Sequence, residues 1–259
     1  INEWLEVLEV ETRVAREPAI VETPEHARAS LRSTAGHALV WGDRRWVNVL
    51  LSEPTEVLLA SLDDLLFPEY GAFKIVSSVP AIGMSLESVD GTARFLGTAF
   101  ATMKMSDDGA VSDAEIELFW RQAANTAGLW TTYAHRALPW LKIGNLHFID
   151  GISGEGYEPA ELECARNAYR TGLASLILNE NPELKAALLN NFALVQYVRQ
   201  QVEQRRGLLG KASEHLKESI AMVNVPNNYE LPYHAPYVAA HNLELVRVRA
   251  GYWRAWETD

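Results

Sequence analysis

The stretch EPAELECARNAYRTGLASLILNENPELKAALLNNFALVQYVRQQV, residues 158–202, decides the fold, and the chain is organised around the segment from Glu158 to Val223. Leu162, Ala165, Tyr169, Leu173 and Leu176 recur at steps of three or four residues. Leu184, Leu188, Phe192, Val195, Val198 and Val202 do the same beyond the junction Asn179-Glu180-Asn181-Pro182. That spacing draws one apolar stripe along each of two long helices, and each stripe must be buried. Pro159 and Pro182 suit a first helical position, where no amide is needed, and Asn181 suits the cap before it. Glu161, Glu163 and Glu183 favour the positive end of each helix.

Working toward the amino terminus, Ser112-Asp113-Ala114-Glu115 is a capping box, in which Ser112 and Glu115 satisfy each other's amides. Ile116, Phe119, Trp120, Ala123, Ala127, Trp130 and Ala134 continue it as one long helix ending before Pro139. The helices over 113–137, 160–178 and 182–206 are expected to share one core. Gly144, Gly151, Gly154 and Gly156 make residues 143–158 read as a loop, and its Gly-rich part over 144–156 is the best lobe boundary. Ala38–Trp41 and Arg45–Leu51 flank Gly42-Asp43 as a hairpin, and Phe73–Ser77 reads as a strand. Pro54 opens a helical pattern through Leu58, Leu59, Leu62, Leu65 and Leu66, while residues 92–105 are ambiguous. Thr23-Pro24-Glu25 caps a short helix running to Gly36, and alternation over Leu8–Val14 suits a half-buried strand or an extended arm, with a short helix fitting equally well up to Leu8. At the other end, Val225–Tyr233 is a linker and Pro236 begins a helix through Val238, Asn242, Leu245, Val248 and Tyr252.

The expected fold is mainly α: a helical bundle-like core, a minor β-hairpin region in the amino-terminal third, and arms at both ends. The expected divisions are an arm over 1–22, an amino-terminal lobe over 23–143 and a helical carboxyl-terminal lobe with an aromatic tail over 157–259.

The 259 residues are 48% apolar and 22% charged, an ordinary globular balance with ample length for a core. A single cysteine, Cys164, forms no internal disulfide, which fits a reducing compartment or one indifferent to redox. It lies beside Leu162 and Ala165 and reads as core or near-core. No apolar run approaches the roughly 18–20 residues that span a bilayer, so no membrane partner is expected. No secretory signal is visible, and the chain opens on Ile1 rather than Met, leaving room for sequence ahead of it. The expected location is the cytoplasm or the inside of an assembled particle.

The formal net charge of -11 disfavours indiscriminate binding to nucleic acid or anionic lipid. Its distribution says more. Residues 1–25 hold seven Glu against two Arg, a net -5. Residues 199–254 hold six Arg and two Lys against five Glu, a net +3. Opposite signs sit at opposite ends.

Candidate chemistry is sparse. Gly151-Ile152-Ser153-Gly154-Glu155-Gly156 matches neither a dinucleotide fingerprint nor a P-loop, and an interhelical turn explains it better. His234, His241 and Glu244 come near a metal-like spacing, but no second Glu-x-x-His pair accompanies them. Asp63-Asp64 reads as a solvated helix end. No metal site, no catalytic constellation and no cofactor are expected. Arg166, Arg170, Arg199, Arg205, Arg206 and Lys211 form a basic set able to track the backbone of a single-stranded nucleic acid, with Tyr169 or Tyr197 as stacking platforms. Trp4, Tyr252, Trp253 and Trp256 are aromatic anchors of the kind interfaces favour.

The organisation expected from these features is a structural, self-assembling subunit of coat or nucleocapsid kind. Its terminal arms would join copies of the same chain head to tail into a filament, ring or shell, with single-stranded nucleic acid as the second partner. The alternative is an α-helical enzyme with a small-molecule pocket near Trp120, Trp130 and Tyr169, using His135 or His147.

Overall fold

The computed structural model describes residues 38–42, 46–51, 56–59, 72–77, 82–85, 112–125, 136–153, 157–176, 181–203, 208–224 and 234–256, together with Ala29. Over these residues the fold is mainly α. Strands β1 (Ala38–Gly42), β2 (Trp46–Leu51), β3 (Glu56–Leu59), β4 (Phe73–Val76) and β5 (Ile82–Ser85) come first. Helices α1 (Asp113–Asn125), α2 (Ala137–Ser153), α3 (Pro159–Ser175), α4 (Pro182–Glu203), α5 (Leu208–Ala221) and α6 (Ala235–Trp256) follow, with a 3-10 turn at Met222–Asn224. The arm over 1–22, Asp63-Asp64 and the ambiguous residues 92–105 lie outside the described residues.

The expected hairpin is present: β1 and β2 pair antiparallel, with Val40 opposite Val49, and β5 joins the far edge of β2. A second, two-stranded sheet pairs β3 with β4 in antiparallel register, Leu59 opposite Phe73 and Glu56 opposite Val76. Here the expectation fails at one element. Leu58 and Leu59 belong to a strand, not to a helix opened by Pro54. A four-residue apolar run carries no period of its own, and cross-strand pairing with β4 decides it.

Each helix packs on the next in sequence, and α4 also touches α2 and α6. That central place explains its burial. Leu184, Ala186, Ala187, Leu188, Ala193, Leu194 and Val195 are all inaccessible, so α4 is buried nearly all round rather than along one stripe. The helix starts are those the sequence specifies. Pro159 and Pro182 each open a helix, and the Asn181 Oδ1 accepts from the Leu184 amide at 3.0 Å. At α1 the Ser112 hydroxyl and amide both donate to the Glu115 carboxylate, at 2.7 and 2.9 Å, and hold that carboxyl below its usual range.

Three further readings are corrected. Helix α1 is described as far as Asn125, its expected course through Ala127, Trp130 and Ala134 lies outside the described residues, and Pro139, expected just past its end, lies instead inside the first turn of α2, where its missing amide costs nothing. The loop expected over residues 143–158 is helix as far as Ser153. Its glycines serve close packing: a methyl group on Gly151 would meet Leu162 at 3.0 Å, and one on Gly144 would meet the Tyr169 ring at 2.3 Å. Cys164 is exposed, because Leu162 and Ala165 take the buried face of α3 and the position between them points away. Burial of its surroundings, then Glu161, still pushes its thiol up.

Phe192 is only partly buried, and its ring lies 5.0 Å from that of His215 on α5. Burial pushes the His215 imidazole below its ordinary value, against the pull of Glu218 and Glu214. The unfolded chain therefore binds the extra proton first as pH falls below the ordinary value of 6.5, and stability drops with it. Thermal unfolding between about pH 7.5 and about pH 5.5 is expected to show a fall in midpoint that His215→Gln flattens. Equal slopes for the two proteins would show that this imidazole contributes nothing.

Candidate functional site

The functional candidate in this fold is a cluster of amides gathered around β4. In an antiparallel strand, alternate residues present both main-chain groups to the same edge. With β3 on one edge of β4, residues 72, 74 and 76 turn theirs to the other. There, helices take the place of a neighbouring strand.

Asn191 on α4 reads Val76 with both ends of its amide. The Val76 N–H donates to Asn191 Oδ1 at 2.9 Å, and Asn191 Nδ2 donates to the Val76 carbonyl at 2.8 Å. Asn242 on α6 treats Lys74 in the same way, accepting from its N–H at 3.0 Å and donating to its carbonyl at 2.7 Å. One position further back, His241 Nε2 lies 2.8 Å from the Ala72 carbonyl. Since that carbonyl can only accept, Nε2 carries the proton. Three successive positions on one strand edge are thus held by three side chains.

A second row of amides holds the first. Asn190 Nδ2 donates to the Lys74 carbonyl at 3.1 Å and to Asn191 Oδ1 at 3.0 Å, while Asn190 Oδ1 accepts from Asn242 Nδ2 at 2.8 Å. Asn145 on α2 donates to the Val76 carbonyl at 3.1 Å. Its oxygen accepts from Asn191 Nδ2 at 2.7 Å and from the Tyr169 hydroxyl at 2.8 Å. Asn190, Asn191 and Asn242 are inaccessible to solvent, and Tyr169 is fully buried. That burial raises the Tyr169 hydroxyl well above its ordinary value, so it is neutral and serves as a donor. A buried amide without partners costs on the order of 1–3 kcal/mol. Here each is spent on another amide or on the strand. Apolar contacts finish the seat: Phe73, Ile75 and Val76 are inaccessible, and the Phe73 ring lies 4.9 Å from that of Tyr197.

The residues expected to act from sequence are distributed elsewhere. Arg166 on α3 and Arg199 on α4 do come together, but on a carboxylate: both reach Glu163, Arg199 at 2.9 Å. Arg170 is exposed one turn beyond Arg166. Lys211 is exposed on α5, a helix that packs on α4 and α6 rather than on α3. Arg205 and Arg206 lie outside the described residues, as do Trp4, Trp130 and His135. Tyr252, Trp253 and Trp256 fall on the last turns of α6, beyond the described side chains. Of the proposed stacking platforms, Tyr169 is buried in the amide cluster and Tyr197 is buried against Phe73. Neither ring is open to a base.

Trp120 is also buried. His147 stands between two carboxylates, 2.6 Å from Glu161 on α3 and 3.4 Å from Glu117 on α1, and so ties three helices. Beside it, burial and then the nearby Asp113 and Glu161 raise the Asp150 carboxyl above its ordinary range. Glu183 caps the start of α6 from a distance, accepting from the His234 and Ala235 amides at 2.9 and 2.8 Å. His234, His241 and Glu244 do not converge. Among the described residues, no group of His, Cys, Asp and Glu has the arrangement of a metal site. No described helix is long and apolar enough to cross a membrane.

Sequence reading missed the asparagines. One signal was available: Asn190-Asn191 interrupts the apolar run from Ala186 to Val195 on α4, where polar residues are costly unless paired.

Comparison of the chain with family models, with curated proteins and with solved structures finds no match. The arrangement around β4 must be interpreted from its own chemistry.

Proposed function

We propose that this chain is a structural, self-assembling subunit of coat or nucleocapsid kind. Copies of it join head to tail, with the terminal segments in the contact. The observation that carries this reading is the amide clasp. Its buried polar side chains are committed to gripping a main chain, and amides matched to amides are chemistry suited to holding protein rather than to turning over a substrate. The opposed charges of the two ends, net -5 and net +3, favour a polar, head-to-tail contact over a two-fold one. Single-stranded nucleic acid is the second partner in this reading. The Glu163 carboxylate partly neutralises Arg166 and Arg199, which leaves Arg170, Lys211, Arg205 and Arg206 to carry that role.

The test is particle mass in solution by light scattering, for the intact chain and for one lacking residues 1–22. The intact chain is expected well above its monomer mass of 28.9 kDa. The shortened chain is expected as a folded monomer of unchanged thermal stability. A strictly monomeric intact chain at high concentration and low salt would end the self-assembly reading. Lost stability at unchanged particle mass would place the arm on its own core.

A further inference from the structure

Helix α1 meets the bundle through apolar and charged contacts together. It packs on α2 and buries Trp120, Ala123 and Ala124. The charged contact centres on His147 of α2, whose two ring nitrogens face carboxylates from two other helices. Nδ1 lies 2.6 Å from Glu161 Oε2 on α3, and Nε2 lies 3.4 Å from Glu117 Oε2 on α1. The other Glu117 oxygen accepts from Arg121 Nε at 2.5 Å, and the Arg121 guanidinium stands 5.7 Å from the centre of the Trp140 ring on α2. Asp113 on α1, Asp150 on α2 and Cys164 on α3 complete the ionisable groups around this point. The Cys164 thiol, pushed up by burial and then by Glu161, is neutral. Arg121 is therefore the one permanent cation among these groups, set against four carboxyls.

The proton on the His147 ring decides how two of those carboxylates are met. A carboxylate accepts and never donates, and a neutral imidazole has one N–H and one lone pair. A neutral ring therefore serves Glu161 or Glu117, not both. Nδ1 has the shorter contact and keeps the proton, so Nε2 turns its lone pair on the Glu117 carboxylate. Nε2 makes no hydrogen bond and is closed to solvent, so water does not soften that meeting. The protonated ring presents an N–H to each side. Glu117 is ionised throughout: burial works to raise its carboxyl, but Arg121 and His147 together hold it below its ordinary value.

On this geometry we propose that His147 is a proton-operated latch between α1 and the α2–α3 pair. With Glu117 in place the protonated ring is the form that fits, so docking of α1 strengthens as pH falls and weakens as pH rises. The apolar contacts of Trp120, Ala123 and Ala124 keep α1 docked in both states. The latch sets how often the helix opens, a local event that leaves the rest of the fold in place.

Hydrogen exchange resolved by residue tests this in the full chain, with the amides of α4 followed in parallel as a record of global stability. In the unaltered protein, the protection factors of Trp120, Ala123 and Ala124 are expected to fall about 3–10-fold from about pH 5.5 to about pH 8, the weight of one partly buried charged contact. Glu117→Gln is expected to abolish that fall, because its amide nitrogen can donate to the lone pair of the neutral ring while its oxygen keeps Arg121. His147→Gln is expected to abolish it as well. A fall that persists in His147→Gln would place the proton on another group, and one of equal size in Glu117→Gln would show that Nε2 does not act through α1. Either result overturns the latch. The unaltered chain also decides alone, whether or not the variants fold: protection of α1 that is independent of pH, or a fall that α4 matches in full, overturns it.

Discussion

Replacing Asn191 by Leu is expected to destabilise the protein by about 3–5 kcal/mol, although the two side chains are close in size. Asn191 makes four hydrogen bonds: to both main-chain groups of Val76, to Asn145 and from Asn190. A leucine makes none. The Val76 N–H would lose its partner inside the core, while its carbonyl would keep the longer bond from Asn145. Asn145 would keep the Tyr169 hydroxyl, and Asn190 would keep the Lys74 carbonyl. One buried orphan and three weakened amides, in surroundings without water, set the magnitude. Asn242→Leu removes the matching grip on Lys74 and should cost somewhat less, since Asn242 makes three of these bonds rather than four and the Lys74 N–H it leaves is only partly buried. The two changes share Asn190 as a neighbour, so their sum should miss the double variant by about 0.5–3 kcal/mol. Urea unfolding of the single and double variants measures all three. A loss below about 1 kcal/mol for Asn191→Leu would show that the clasp contributes little to holding β4.

The parts of this fold that the sequence discloses are those whose causes are local. Pro159, Pro182 and Asn181 mark helix starts because the first turn has orphan amides wherever it occurs, and Ser112 with Glu115 does so for the same reason. The hairpin at Gly42-Asp43 and the stripe on α3 are local as well. The clasp is not. Each of its amides finds a partner across tens of residues of sequence, and an asparagine on a helix looks the same in a list of residues whether it faces water or a strand. The arginines mislead for a related reason. Arg166 and Arg170 do share a helical face, but the Glu163 that Arg166 and Arg199 both meet is a tertiary neighbour of Arg199, and no spacing rule on one helix reveals it. Cys164 shows the limit at a finer scale. Two buried neighbours do not bury the residue between them when 100° separates successive positions.

The glycines of α2 misled most, and they lead to the second large expectation. Gly144→Ala should cost about 2–3 kcal/mol or more, even though alanine is the better helix former by about 1 kcal/mol. The added methyl would stand 2.3, 2.5 and 2.8 Å from three atoms of the Tyr169 ring. The ring cannot swing aside cheaply, because its hydroxyl is bonded to Asn145 and through it to the clasp. Gly172→Ala is the instructive contrast. Its methyl would meet Leu188 Cδ2, the far end of a side chain, at 2.9 Å and Trp140 Cβ at 3.1 Å, so the neighbours must give by less than the Tyr169 ring and the cost should be smaller. Gly210→Ala should stabilise by about 0.4–1 kcal/mol, since nothing lies within 4 Å and α5 gains a stiffer residue. One substitution at three helical glycines thus carries three expected outcomes, set by what stands opposite each. Chemical denaturation of the three variants tests the ranking. If Gly144→Ala proved neutral, Tyr169 would not be seated on α2, and Asn145 would lose its link to the hydroxyl. Tyr169→Leu in the Gly144→Ala background separates the steric cause from any other. A shorter side chain that recovers part of the loss identifies the ring as the obstacle, whereas additive losses would place the strain in the helix itself.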